Sequence, residues 1–150
     1  REDFFRWDII REVARDYPDI DFRELGRTER LAAAPANVSI LPEIGGQPKF
    51  DEFLSCFALL RPCIHDGVGL GLIEMAQLGR FIFHTDKRIP FALPADSVGV
   101  VEYHLDRILA ARAPPSPAIG AYYVREYTEA KLADDLDRLR WRMEGHVRVP

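Results

Sequence analysis

Ile64-His65-Asp66-Gly67-Val68-Gly69-Leu70-Gly71-Leu72-Ile73-Glu74-Met75-Ala76-Gln77-Leu78-Gly79 closes an apolar run and opens a helix-like pattern, so it reads as strand, glycine-rich bend and helix in succession. Every second residue from Gly67 to Gly71 is glycine, which permits positive φ and lets main-chain amides approach a neighbouring group. With a helix beginning near Gly71, its unpaired N–H groups and the positive end of its dipole converge on one spot, a natural seat for phosphate. Glu74 then falls in the first turn, and Asp66 stands at the far end of the bend. Either carboxylate can accept hydrogen bonds from vicinal sugar hydroxyls. Equally, Glu74 can complement the helix dipole and Asp66 can cap the turn.

The flanking sequence alternates between helix and strand. Residues 4–17 carry Ile10, Val13, Ala14 and Tyr17 as one apolar stripe, and Pro18 stops the helix. Strands are expected at 20–25 and 37–41. Phe50, Phe53, Leu54 and Phe57 recur at helical spacing before the nearly unbroken apolar run 58–64, which has the composition of a buried parallel strand. Beyond Glu74, Phe81-Ile82-Phe83 marks a short strand, and Val101, Leu105, Ile108, Leu109 and Arg112 mark a helix. Such alternation predicts an α/β fold, a Rossmann-like parallel sheet with helices on both faces. Ligands of these sheets bind at the carboxyl ends of the strands, which places the residues after Leu25, Leu41 and Ile64 around one crevice.

Residues 113–118, Ala-Pro-Pro-Ser-Pro-Ala, cannot continue a helix and read as a stiff linker. A terminal helix is expected from the cap Thr128 onward, with Leu132, Leu136, Leu139 and Met143 on one face and Gly145 at its end. That face packs either on its own sheet or on a partner domain. Residues 27–35 read as a short helix or a loop.

A chain of 150 residues, 47% of them hydrophobic, suffices for a single domain with its own core, spanning 1–150. A formal charge of -4 and the lack of a dense basic cluster predict no nucleic-acid partner. Arg138, Arg140 and Arg142 are interspersed with Asp134, Asp135 and Asp137, as on a solvated helix face. Cys56 and Cys63 lack a zinc-type companion pair and are expected as reduced core thiols, in a cytoplasmic setting. No apolar run approaches the roughly 20 residues that cross a bilayer, so membrane association is expected only through parts outside this chain.

Two His-acid pairs, His65-Asp66 and His84-x-Asp86, sit where strands should end, but their spacing does not converge as metal ligands do, and no metal is expected. The alternating pattern likewise disfavours an all-helical HD-type phosphohydrolase. Ser39, Ser55, Ser97 and Ser116 lack a glycine-framed nucleophile bend, and no Lys-Ser/Thr follows the glycines as in a Walker loop.

Asp66 and Glu74 bracket seven residues, followed by Met75-Ala76-Gln77-Leu78-Gly79-Arg80-Phe81-Ile82. In this the chain resembles the C-terminal, nucleotide-sugar-binding domain of GT-B fold glycosyltransferases, the retaining, glycogen-synthase-like enzymes of glycosyl transferases group 1. Tyr17-Pro18-Asp19-Ile20-Asp21-Phe22-Arg23-Glu24-Leu25-Gly26 is similar to the family's helix end, proline, strand and glycine, and Asn37-Val38-Ser39-Ile40-Leu41-Pro42 to its next strand. The resemblance extends over roughly residues 8–110. Asp66 stands where the family usually has Glu, and Phe81 where it usually has proline. The family's basic diphosphate loop and its N-terminal, Rossmann-like acceptor domain have no counterpart, so the chain reads as part of an enzyme.

The resemblance implies a hexosyltransferase donor site. Glu74 would bind the ribose, Asp66 sugar hydroxyls, and the backbone of Gly67, Val68, Gly69, Leu70 and Gly71 the sugar and phosphates, with His65 as a further donor. No catalytic residue is assigned in this chain and no cofactor is implied, the nucleoside-diphosphate sugar being the substrate. The alternative is a non-catalytic nucleotide- or phosphate-binding module of a sensor or scaffold, built on the same bend. A purely structural domain using the 129–144 helix would need no glycine bend.

Overall fold

The computed structural model describes residues 4–26, 33–64 and 68–131. His65, Asp66, Gly67 and the stripe from Leu132 to Met143 lie outside the described residues. The elements run α1 (Trp7–Asp16), β1 (Phe22–Leu25), β2 (Val38–Leu41), α2 (Gly46–Ser55), β3 (Ala58–Arg61), α3 (Leu70–Gln77), β4 (Phe81–His84), β5 (Leu93–Pro94), α4 (Val98–Ala111) and α5 (Pro117–Glu126). All described strand pairs are parallel: β1 with β2, and β3 with β4 with β5. This is the expected Rossmann-like α/β arrangement, carried by two small sheets flanked by helices.

Consecutive residues of β4 show how the layers form. Side chains alternate across a strand, and Ile82 enters a core with Leu72 and Met75 of α3 and Ile119 and Tyr123 of α5. Phe83 enters the opposite core, with Ile9 and Val13 of α1 and Val101 and Leu105 of α4. Both are essentially inaccessible to water, at 0% and 2% exposure, and burying each side chain contributes about 1.5–3 kcal/mol. A third cluster joins Trp7 and Ala14 of α1 to Val38 of β2, and Phe22 of β1 packs against both this cluster and the Phe83 core.

Local chemistry sets the element ends. Pro62 has no N–H to continue the ladder, so β3 stops at Arg61 and the expected strand over 58–64 is cut short, leaving Ile64 53% exposed. Asn37 Nδ2 lies 2.9, 3.0 and 2.9 Å from the carbonyls of Ala14, Tyr17 and Ile20, binding the end of α1 to the start of β2. The buried residues of α1 are Trp7, Ile9, Val13 and Ala14, so its stripe is shifted from the expected one. Ile10 and Tyr17 flank it, half-buried, and the Tyr17 hydroxyl donates to Asp106 Oδ1 of α4 at 2.6 Å.

The proposed linker 113–118 is shorter than expected. Pro117 occupies the first position of α5, where a missing N–H costs nothing, and Tyr123 of that helix is fully buried. The Thr128 cap is present, its Oγ1 accepting the Lys131 N–H at 3.1 Å. Cys56 and Cys63 are both free thiols, Cys63 buried and Cys56 half-buried. Among the described residues no helix is long and apolar enough to cross a membrane.

Candidate functional site

The parallel register sets Arg61 of β3 opposite His84 of β4, and His84 opposite Pro94 of β5, so these residues mark one carboxyl edge. The chain leaves β3 through Pro62 and Cys63 and reaches α3 through Val68 and Gly69. Gly69 is the N-cap of α3, with φ -75 and ψ 153, and its carbonyl accepts the N–H groups of Leu72 and Ile73 at 3.0 and 3.1 Å. Among the described residues the N–H groups of Gly69, Leu70 and Gly71 have no backbone acceptor. Val68 and Leu70 are exposed and Gly69 and Gly71 half-buried, so this part of the bend is open rather than packed into the core.

Two expectations about the bend are corrected. Neither Gly69 nor Gly71 needs positive φ, because Gly69 is extended and Gly71 is helical; among the described residues the positive-φ glycines are Gly26, Gly46 and Gly79. Nor does Glu74 lie in the first turn. The helix starts at Leu70, which makes Glu74 its fifth residue and leaves the first turn without an acid. A dipole role for Glu74 is thereby weakened, since that field falls off within the first turn.

Glu74 instead meets Lys49 of α2. Lys49 Nζ donates to Glu74 Oε1 at 2.7 Å, with the two side chains 27% and 23% exposed. Its other oxygen, Oε2, is buried and has no hydrogen-bond partner. A buried carboxylate oxygen without a donor is costly, so this acceptor is available in chemistry if not in access.

Arg61 is a second cation that sequence reasoning passed over. Its Nη2 and Cζ lie 3.5 and 3.7 Å from the position a Cβ on Gly69 would take, and its guanidinium stands 5.3 Å from the centre of the Phe5 ring. Arg61 has further interactions besides these. The signal was present in the sequence, as the one charged residue within the apolar run 58–64. Lys49 left a weaker trace, four residues before Phe53 and so on the same helix face.

The exits of β3 and β4 are bound together. The Cys63 N–H donates to Thr85 Oγ1 at 3.3 Å, and the Thr85 hydroxyl donates to the Cys63 carbonyl. His84, 1% exposed, accepts the Asp86 N–H at Nδ1 at 2.9 Å, so the neutral ring carries its proton on Nε2, which faces Cys63 Sγ at 3.4 Å. A thiolate–imidazolium pair would need a proton on Nδ1, where the Asp86 N–H already points. The arrangement is therefore a structural tie between two strand ends. The Asp86 carboxylate turns to Arg88, with contacts of 2.9, 3.1 and 2.7 Å, and the Arg88 side chain and N–H hold it down at about 2. His84 and Asp86 thus do not present a joint ligand pair, and among the described residues no three His, Cys, Asp or Glu converge as metal ligands would.

Of the residues singled out in the sequence, the structure brings Gly69, Leu70 and Gly71 to one helix start beside Arg61, and Glu74, past the first turn of the same helix, to Lys49. Comparison with protein-family models found no match, and comparison with curated proteins found none either.

Proposed function

We propose that this chain is the donor-binding domain of a cytoplasmic GT-B glycosyltransferase, holding a nucleoside-diphosphate sugar while a second, Rossmann-like domain presents an acceptor hydroxyl. The observation that carries this reading is the placement of Glu74, with an unmatched carboxylate oxygen, just beyond a glycine-capped helix start at the carboxyl edge of a parallel sheet. Amides at Gly69, Leu70 and Gly71 and the helix dipole favour an anion at that start, and the Arg61 guanidinium beside Gly69 supports a charge as high as a diphosphate's. Glu74 accepts from the ribose hydroxyls. In sequence, His65, Asp66 and Gly67 complete the bend, with Asp66 assigned to the transferred sugar.

Transfer breaks the bond between the anomeric carbon and the phosphate oxygen. The nucleoside diphosphate leaves with the bonding pair, the acceptor oxygen bonds to the anomeric carbon, and the hydroxyl proton passes to the departing phosphate oxygen. Negative charge grows on the leaving oxygen, where fixed amide donors and a guanidinium stabilise it more than they stabilise the bound substrate. Calorimetric titration with UDP, ADP and GDP, and with their glucose conjugates, tests the reading. Because Glu74→Ala also breaks the ion pair with Lys49, the comparison is made between Lys49→Met and Lys49→Met/Glu74→Ala: saturable binding that falls at least about tenfold on adding Glu74→Ala, a loss of about 1.4 kcal/mol, supports it. Equal binding by both proteins refutes the ribose assignment.

A further inference from the structure

Helix α2 is the least anchored of the described helices. It has no buried residue, whereas α1, α3, α4 and α5 each bury two or more. Phe50 and Leu54 are 40% and 51% exposed. The helix is held by Phe53 against the Leu72 and Met75 core, by Arg23 bonds to Glu52 and Ser55, by the Arg80 bond to the Leu54 carbonyl, and by Lys49 on Glu74. Its entry is Gly45-Gly46, with Gly46 at φ +59, a conformation glycine adopts without strain. Elements with few buried apolar contacts and a permissive entry open at low free-energy cost.

This helix lies over the acceptor that the nucleotide reading requires. Phe53 stands 4.0 Å from the Cβ position of Gly71, and Lys49 pairs with Glu74 three residues further along the same face of α3. Glu74 Oε2 is shut off from water, and a surface closed to water is closed to a ribose hydroxyl.

We propose that α2 is a movable cover latched by the Lys49–Glu74 ion pair, and that a nucleotide binds by taking Glu74 from Lys49. This rests on the ribose reading of Glu74. The exchange is balanced, since hydroxyl donors replace an ammonium donor at Oε1 and satisfy Oε2, which the closed state leaves without one. Because the closed state competes with the ligand, its stability subtracts from the apparent affinity.

The test is calorimetric titration of the full chain with UDP, ADP and GDP, with hydrogen exchange of the α2 amides followed in parallel. Lys49→Met keeps the aliphatic stem over Phe53 and removes the latch. It is expected to bind the preferred nucleotide about tenfold more tightly than the wild type, and saturating nucleotide is expected to speed exchange over residues 49–55 of the wild type. Unchanged or weaker binding by Lys49→Met, or slower exchange in α2 with nucleotide bound, overturns the latch while Glu74-dependent binding leaves the ribose reading standing. Binding by Lys49→Met that is indifferent to adding Glu74→Ala, or no binding of any of the three, overturns the ribose reading and the latch with it.

Discussion

The Ser116 carbonyl oxygen lies 2.7 Å from the point that a Cβ on Gly79 would occupy, and the Ser116 N–H donates to the Gly79 carbonyl at 2.7 Å. The turn from α3 into β4 thus rests, backbone on backbone, against the entry to α5. Gly120, on α5, would bring a Cβ within 3.0 Å of the Gln77 carbonyl, so α5 meets the end of α3 and the turn after it with one glycine on each side.

Gly79→Ala is expected to destabilise the fold by about 2 kcal/mol or more. A left-handed residue with a Cβ costs roughly 1–2 kcal/mol, and here φ is +73 and the obstacle is main chain that cannot rotate aside. The midpoint of urea unfolding reads the change.

Gly69→Val should behave differently. Its backbone is extended, as any residue allows, and among the described residues the new Cβ meets only the flexible end of Arg61 at ordinary contact distance. Stability is expected to change by less than about 1 kcal/mol, while the valine branches crowd the space between the guanidinium and the helix start. Nucleoside-diphosphate affinity should fall at least about tenfold, and undiminished binding in a titration would remove the bend from the phosphate site.

The two thiols should separate by reactivity. Cys63 is 2% exposed and tied to His84, whereas Cys56 is half-buried, so a chromogenic disulfide reagent is expected to modify Cys56 in the native protein and Cys63 only on unfolding. Rapid modification of both in buffer would contradict the tie at the strand ends.

Acid pH tests the Asp86–Arg88 contact. The folded-state carboxyl sits at about 2, below its ordinary value of 3.8, so its contribution to stability is present above 3.8 and is lost as pH falls toward 2. Arg88→Ala removes the largest cause and should move the Asp86 titration upward toward 3.8 in a carboxyl-carbon NMR experiment. An unmoved titration would assign the depression to the Arg88 N–H and His84 instead.

Periodicity and chain punctuation made much of the fold legible. The apolar run Phe81, Ile82 and Phe83, the stop at Pro18 and the Thr128 cap are local signals, and each depends on residues within one turn or one strand of itself. Helix α5 escaped because Pro114, Pro115 and Pro117 read as a linker, though Pro117 at a first helical position is compatible with a helix. Strand β5, two residues ending in Pro94, has no pattern long enough to read.

In the candidate site, residue types and order settled that glycines and an acid follow a buried strand, because composition limits what a bend can do. Which glycine bears strain, and what Glu74 faces, were decided by packing. Lys49 and Glu74 are 25 residues apart, and Arg61 comes to Gly69 only because the chain leaves β3 and doubles back into α3. Pairings of that kind depend on how whole helices dock on a sheet, and no window of sequence contains the docking energy that brings them together.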